Sequence, residues 1–514
     1  VPVNTLVKPS EYHDSVSLML VAQELARLPG VTDAAVVMGT EANKGILEGA
    51  GLLTAEAQAA TANDLVIALS AEDGALERAL AEVDRLLKGK QAEADTSEFQ
   101  PKTLRSAVKA SPSANVCVIS VAGRYAAEEA WEALRQGLHV LLFSDNVSLA
   151  DEIALKRYAS EHGLLLMGPG AGTAILNGTA LGFANLLPSG PVGIVSAAGT
   201  GLQEVSCLLA KGGVGITQGI GTGGRDLKEE VGGIMMLAGL QALQDDPATE
   251  VILLVSKPPA QSVAQKVLDQ VSRSDKPTVV CFLGMKSSPD GVAGKVKFTR
   301  TLEEAAYLAA ELARPGLPTQ PDRSGELDAI AKELRSQLQP KQRFLRGLFS
   351  GGTLCYESQV IWRDLLSEAV LSNAPLDDSQ KLPDSNRSVG HTAVDLGEEE
   401  FTVGRLHPMI DNDLRIRRLL QEARDPETAA ILLDVVIGYG AHPNPATELG
   451  AAVRKARAEA SADGRQLVFV ASVTGTEADP QRLSHQVQAL EQAGVIVRPS
   501  NADAARLITR IVNK

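Results

Sequence analysis

The chain has 514 residues, 44% of them hydrophobic, and a net charge of −14, so it holds enough apolar sequence for three or four domain cores. The acidic balance argues against nucleic acid or an anionic membrane surface as a partner. No apolar run reaches transmembrane length and no basic-then-apolar leader opens the sequence, so a cytoplasmic protein is expected.

Residues 1–88 read as a small α/β domain. A short strand, the helix DSVSLMLVAQELARL capped at Asp14 or Ser15, the strand GVTDAAVVMGT, the strand DLVIALS and the helix GALERALAEVDRLLKG follow a ferredoxin-like order. The polar stretch Lys88–Lys102 reads as a linker. Residues 103–187 alternate short apolar strands with helices, a Rossmann-like unit whose sheet is buried on both faces. Residues 190–314 form a second α/β unit, and the three-proline segment Arg314–Asp328 reads as an interdomain linker. Residues 341–514 form a third unit on the same strand–elbow–helix plan, with a long polar insertion near Asn373–Arg387. Cys117, Cys207, Cys281 and Cys355 are widely spaced and fit no metal motif, so buried thiols and no metal site are expected.

The elbows carry the functional signal. An apolar strand runs into Ser, Gly or Thr and then a helix at Val192–Leu209, Arg346–Ser358, Ile431–Val453 and Leu467–Leu483. Each places free N–H groups and the positive end of a helix at the carboxyl edge of a sheet, where anions bind in open α/β folds. Candidate anion contacts are Gly199, Thr200 and Gly201, then Gly351, Gly352 and Thr353, and finally Gly438, Gly440 and Asn444 with Pro445 in the first helical turn. Gly223 and Gly224 precede Arg225, whose guanidinium can fork onto a carboxylate or phosphate. Glu204, Arg225 and His442 are the candidate catalytic side chains. The bland alternatives are tight βα turns, a surface salt bridge for Arg225 and an exposed loop histidine. The loop Gly404–Asp411 gathers Arg405, His407 and Asp411; loops of this kind often carry function, and a turn stabilised by Asp411 is the bland alternative. No phosphate loop, HExxH or GxSxG is present, and no histidine lies between His162 and His391.

Residues 103–314 resemble the α-subunit of succinyl-CoA synthetase, through FSDNVSLADEIALKRYASEHGLLLMGPGAGTAIL and PVGIVSAAGTGLQEVS. Residues 341–514 resemble the carboxyl-terminal ligase domain of its β-subunit. The combination, with DSVSLM, MGTEANKG, GTGGRDL, VSKPPA, GGTLC, GRLHPMID and LLDVVIGYGAHPNP, resembles the FdrA/YahF family over essentially the full length. The resemblance implies a Rossmann-like CoA-binding-type domain, two flavodoxin-like ligase domains and the ferredoxin-like front domain. It also implies a phosphoryl group flanked by two helix N-termini, with residues 199–204 and 438–446 expected to share that site.

Three departures bear on mechanism. The synthetase's phosphohistidine stretch corresponds to Gly284–Arg300, which has no histidine, so no phosphorylated enzyme is expected from ATP and CoA. Residues 1–88 are too short for an ATP-grasp domain. Gly168–Thr173 reads GPGAGT where the family reads GPDCGT. The family further implies a carbamoyltransferase subunit of purine or allantoin catabolism, acting on oxamate or a ureide with carbamoyl phosphate or phosphate. Its expected partners are a small carboxylate or phosphate ligand, family partner subunits and a carbamate kinase in the same pathway. No cofactor is required on this reading, while CoA and nucleotide stay open. A succinyl-CoA-ligase-like acyl-CoA synthetase subunit is the second reading and a non-catalytic scaffold the third.

Overall fold

A strand buried on both faces needs cover on both sides, and the central strand of the amino-terminal sheet, Leu65–Ala71, is built that way. The computed structural model describes all residues except 1–2, 12–14, 73–74, 89–100, 122, 286–294, 318, 403–404 and 514. It divides into two units, Val1–Pro112 with Glu399–Leu406, and Ser113–Glu398 with His407–Lys514. In the first unit β1 (Val3–Lys8), β2 (Val31–Met38) and β3 (Leu65–Ala71) pair antiparallel in the order β1-β3-β2. Around them lie α1 (Ser15–Ala26), α2 (Glu41–Gly49), α3 (Ala55–Ala59), α4 (Ala75–Lys88) and α5 (Leu104–Ala110). Leu65, Ile67 and Leu69 of β3 join Leu18, Leu25 and Val83 in one core. Val66 and Ala68 join Leu47, Leu52 and Ala57 in the other.

The strand order matches the first three strands of a ferredoxin-like unit. The second apolar face is the addition, covered by α2 and α3, which carry no clear helical signal in the sequence. Both are short, and Gly45 interrupts the periodicity of α2. The cap at Asp14 and most of the segment read as a linker, 89–100, lie outside the described residues.

In the second unit β4 (Val116–Ile119), β5 (His139–Leu142) and β6 (Leu166–Met167) form a parallel sheet with α6 (Gly123–Arg135) and α7 (Leu149–Glu161). A seven-stranded sheet follows. It comprises the hairpin β7 (Thr173–Leu176) and β8 (Thr179–Gly182), then β9 (Ser189–Ser196), β10 (Ile216–Gly221), β11 (Val251–Ser256), β12 (Thr278–Phe282) and β13 (Val296–Phe298). Its helices are α8 (Gly199–Lys211), α9 (Ile234–Asp245), α10 (Gln261–Val271) and α11 (Leu302–Ala313). The order is β13-β12-β11-β9-β10-β7-β8, so β9 to β13 run in flavodoxin-like order. The chain reverses direction between β9 and β11, and ligands bind at such a switch point, beyond the carboxyl ends of the strands.

The proline-rich crossing is packed down, with Arg323 on Glu303 at 3.2 Å. It leads into α12 (Ser324–Arg335) and a six-stranded parallel sheet. Its strands are β14 (Phe344–Phe349), β15 (Val370–Ser372), β16 (His391–Asp395), β17 (Thr428–Val436), β18 (Val468–Thr474) and β19 (Ile496–Arg498), in the order β15-β16-β14-β17-β18-β19. Its helices are α13 (Gly352–Leu365), α15 (Asp413–Arg424), α16 (Pro445–Ala462), α17 (Leu483–Gln492) and α18 (Asn501–Val512); α14 (Glu399–Thr402) belongs to the first unit. Here β14 lies between β16 and β17, which makes a second switch point.

One apolar core runs through both large sheets. Leu202 and Val205 of α8 share it with Leu354 and Trp362 of α13 and Ala505 of α18. The Trp362 indole donates to Ala505 O at 3.0 Å, which satisfies its only polar atom. Burying each large side chain of this kind stabilises the fold by roughly 1.5–3 kcal/mol. Cys207, Cys281 and Cys355 are buried free thiols, and burial raises the pKa of each. Among the described residues no helix is long and apolar enough to cross a membrane.

Candidate anion-binding site

The two switch points meet. β9 ends at Ser196, whose hydroxyl accepts the Ala198 N–H and donates to Ala198 O, turning the chain into α8. Ala198 caps α8 with no side-chain bond. The first-turn N–H groups of Gly199, Thr200 and Gly201 therefore have no acceptor among the described residues. Gly199 and Thr200 are half-buried, so this open helix end reaches solvent.

The end of α13 stands opposite. Thr353 N–H donates to Thr200 Oγ1 at 3.3 Å. A Cβ at Gly201 would lie 2.9 Å from Thr353 Cγ2, and one at Gly351 would lie 3.0 Å from the Thr200 side chain, so glycine is what lets the two turns approach. Unlike α8, α13 already holds an internal anion. Asp434, fully buried in β17, accepts Ser350 N–H and Gly351 N–H at 2.7 Å each. Arg415 donates to its Oδ1 at 3.1 Å and balances the charge. A carboxylate on a helix N-terminus is favourable for the same reason that a phosphate is.

Three further side chains face this end. A Cβ at Gly352 would lie 2.5 Å from Asp395 Oδ2 and 3.8 Å from Lys257 Nζ, so both groups border the start of α13. Asp395 ends β16, and Lys257 follows β11 at the first switch point. Asp395 Oδ1 accepts Gly397 N–H at 2.9 Å. Burial pushes the Asp395 carboxyl up to about 7, against the pull of Lys257 and with a push from Glu398. Burial holds His407 down to about 4, which leaves the ring neutral at pH 7. Its Nδ1 accepts Met409 N–H at 3.2 Å, so the ring proton sits on Nε2. A Cβ at Gly397 would lie 2.8 Å from that Nε2 and 3.2 Å from Asp395 Oδ1.

The raised carboxyl has a sign that can be worked out. Asp395 ionises near its ordinary value of 3.8 when unfolded and near 7 when folded. Its contribution to stability is complete below about pH 4 and is lost as pH rises through about 7. Asp395→Asn should therefore gain on the wild type between pH 5 and pH 8 in urea melts.

The remaining candidates lie elsewhere. Glu204 is buried and spent, accepting Thr474 Oγ1–H at 2.5 Å and Asn501 N–H at 3.0 Å. Arg225 does not reach the open end of α8. Its guanidinium donates to Val147 O at 2.8 Å and pairs with Glu152 at 2.8 Å, an ion pair without hydrogen-bond alignment. Glu152 is fully buried and needs that charge. Arg225→Lys should cost about 1 kcal/mol of stability in a thermal melt and leave phosphate binding unchanged, because lysine cannot hold both partners. Gly223, with φ +88°, packs on the Gly168–Pro169 turn, and Gly224 opens onto empty space.

The loop 438–446 does not supply the helix end facing Thr200. Gly438 packs on Ala184 and Asn185, Tyr439 pairs with Ala184, and Gly440 lies against Phe183. Asn444 caps α16 without a side-chain bond, and Ala446 N–H is taken by Gln486. His442 accepts Asn444 N–H at 3.0 Å and points Nε2 at Glu448, 3.4 Å away. The nearest link to α8 is a relay through Asn185, which joins Gln203 to Ile437 O. At Gly170, where φ is +65°, a Cβ would fall 2.5 Å from Asp145 Oδ1, the end of a side chain that can turn aside, so it is the positive φ that favours glycine here. The histidine-free stretch Gly284–Arg300 lies for the most part outside the described residues.

Comparisons with known proteins find relatives over the full chain and over parts of it. A family model described as CoA-ligase matches residues 348–511, and one described as the AllF heavy metal-associated domain matches residues 1–103. The uncharacterized protein YahF of Escherichia coli (strain K12) is 45% identical over 514 residues, covering 100% of this chain and 99% of YahF. The alpha subunit of an ADP-forming succinate–CoA ligase from Methanothermobacter thermautotrophicus is 27% identical over 184 residues, 34% of this chain and 59% of that subunit. Among solved structures, the dinucleotide-forming acetyl-coenzyme A synthetase 1 of Ca. Korarchaeum cryptofilum aligns over 77% of this chain and 82% of its own, at 16% identity and a TM-score of 0.32. The front domain does not fit a soft metal ion. Residues 1–103 contain no cysteine and one histidine, His13, and the described residues hold no metal-ligating cluster.

Proposed function

The chain belongs to the FdrA/YahF family, and from that premise we propose that it is the acyl-CoA-synthetase-type subunit of an acyl-transfer enzyme, with an acyl phosphate seated on the open end of α8. The observation that carries this reading is the uncapped N–H set of Gly199, Thr200 and Gly201 facing α13. The CoA-ligase match and the succinate–CoA ligase relative favour CoA as the acceptor. Three N–H donors and a helix dipole would hold the phosphate and stabilise charge as it leaves the carbonyl carbon. Positioning of this kind supplies much of a transfer reaction without a covalent nucleophile.

The missing histidine in Gly284–Arg300 favours a second reading, transfer of a carbamoyl group from carbamoyl phosphate to nitrogen within a multi-subunit complex. Carbamoyl phosphate is itself an acyl phosphate, so the two readings share a seat and differ in the acceptor. Thermal melts of the full chain with acetyl phosphate, carbamoyl phosphate, inorganic phosphate and CoA test both. A ligand at a hundredfold excess over its dissociation constant should stabilise by ~2.7 kcal/mol. A shift with CoA and acetyl phosphate supports the first reading, and a shift with carbamoyl phosphate but not CoA supports the second. No shift with any of them would refute both.

A further inference from the structure

The start of α13 is bordered by two polar side chains whose bonding capacity is not filled, the Lys257 ammonium and the Asp395 Oδ2. Lys257 is half-buried and makes no hydrogen bond or ion pair among the described residues; its one contact of note is the Tyr356 ring, 5.6 Å away. Its ammonium pulls on the nearby Asp395 carboxyl without forming an ion pair with it, which leaves its charge available to an incoming anion. Asp395 is 98% buried, at 2% exposure, and its Oδ2 makes no hydrogen bond among the described residues while Oδ1 is occupied by Gly397 N–H. Both groups border Gly352, one residue beyond the Gly351 that packs on Thr200. They rise from separate sheets, Lys257 beyond β11 at the first switch point and Asp395 at the end of β16 beside the second.

We propose that Lys257 anchors the anionic group of the substrate and that Asp395 is the general base of the transfer, an assignment that rests on the acyl-phosphate reading. As the acceptor X–H attacks the carbonyl carbon, the new C–X bond forms and the C–O bond to phosphorus breaks. The electron pair of that bond leaves with phosphate, whose charge Lys257 neutralises. Asp395 takes the proton from X–H and returns it to phosphate or to solvent, so the carboxylate is regenerated. A base is best placed when it titrates close to the working pH, and burial raises Asp395 into that range. The charged and titratable groups around it are Lys257, Asp434 with its partner Arg415, Glu398, Cys355 and the neutral ring of His407. His407 contributes no charge above pH 5.

The test uses the full chain, in its complex if partner subunits are needed for turnover. Phosphate and acetyl phosphate binding is measured by calorimetry for the wild type, Lys257→Met and Lys257→Arg. Turnover of acetyl phosphate and carbamoyl phosphate is followed from pH 5 to 9 for the wild type and Asp395→Asn. Lys257→Met is expected to weaken phosphate at least tenfold, with partial recovery in Lys257→Arg. Asp395→Asn is expected to lower kcat at least a hundredfold, to leave the binding constant within threefold, and to abolish the rise in rate around pH 7. Equal phosphate affinity in Lys257→Met would overturn the anchor, and an unchanged pH profile in Asp395→Asn would overturn the base. A wild-type chain that binds phosphate but transfers no acyl group to any acceptor would refute the acyl-transfer reading and the base with it. The anchor would still be decided by the Lys257→Met titration.

Discussion

Asp434→Ala should cost about 3–5 kcal/mol of stability, the expected effect of removing one partner of a buried ion pair. Asp434 is 0% exposed and Arg415 2%, so the substitution strands a guanidinium where water cannot reach it. It also leaves Ser350 N–H and Gly351 N–H without their acceptor. Those donors lie in the turn that leads into α13, with Gly351 as its N-cap, so the damage should spread to the contact between Thr353 and Thr200. Denaturant unfolding of the purified variant measures the loss. Asp434→Asn is the control, because its amide oxygen can still accept one N–H, and it should lose less than the alanine variant. A loss under about 1 kcal/mol for the alanine would mean that the carboxylate does not organise this end of the helix.

Lys156→Met should be of similar size, about 3–5 kcal/mol. The Lys156 ammonium is fully buried and lies 2.8 Å from Glu152 and 2.8 Å from Asp226, both also at 0% exposure. It donates to Thr222 O at 3.0 Å as well, which ties α7 to the turn after β10. Asp226 accepts the N–H groups of Met235 and Met236 at the start of α9, so it keeps some support when the lysine goes. Glu152 keeps only Arg225. Methionine matches the volume of the lost chain, which makes the measured cost electrostatic rather than a cavity effect. The double variant Lys156→Met with Glu152→Gln should recover part of the loss, since one stranded charge is then removed. Chemical denaturation of the three proteins side by side checks this.

Much of this arrangement is visible in the sequence, and what is missing has a physical pattern. The elbows at Gly199–Gly201 and Gly351–Thr353 stand out because small and hydroxylated residues interrupt unbroken apolar strands. Which elbow faces which is a relation between elements about 150 residues apart, and neither spacing nor periodicity encodes it. The 438–446 loop has the same local signature, yet one first-turn N–H of its helix is taken by Gln486 and its turn pairs with Ala184. Lys257 lies just past an apolar strand and Asp395 is the last residue of one, in VSKPPA and HTAVDLG, where a solvated loop residue looks the same. Arg225 did leave a clue. Glu152 and Lys156 are spaced i, i+4 on a helix that is buried in an α/β layer, and a buried carboxylate needs a nearby cation. The second face of the amino-terminal sheet was legible in LVIALSA, which has no polar alternation, although the helices that cover it were too short to recognise.

The most direct test of the central claim, an acyl phosphate on the open end of α8, is an experimental structure of the full chain with acetyl phosphate bound. The account predicts phosphate oxygens within hydrogen-bond distance of the Gly199, Thr200 and Gly201 N–H groups, on the side facing Gly352 and Lys257. Phosphate bound at the 438–446 loop or beside Arg225, with the α8 end left empty, would contradict it.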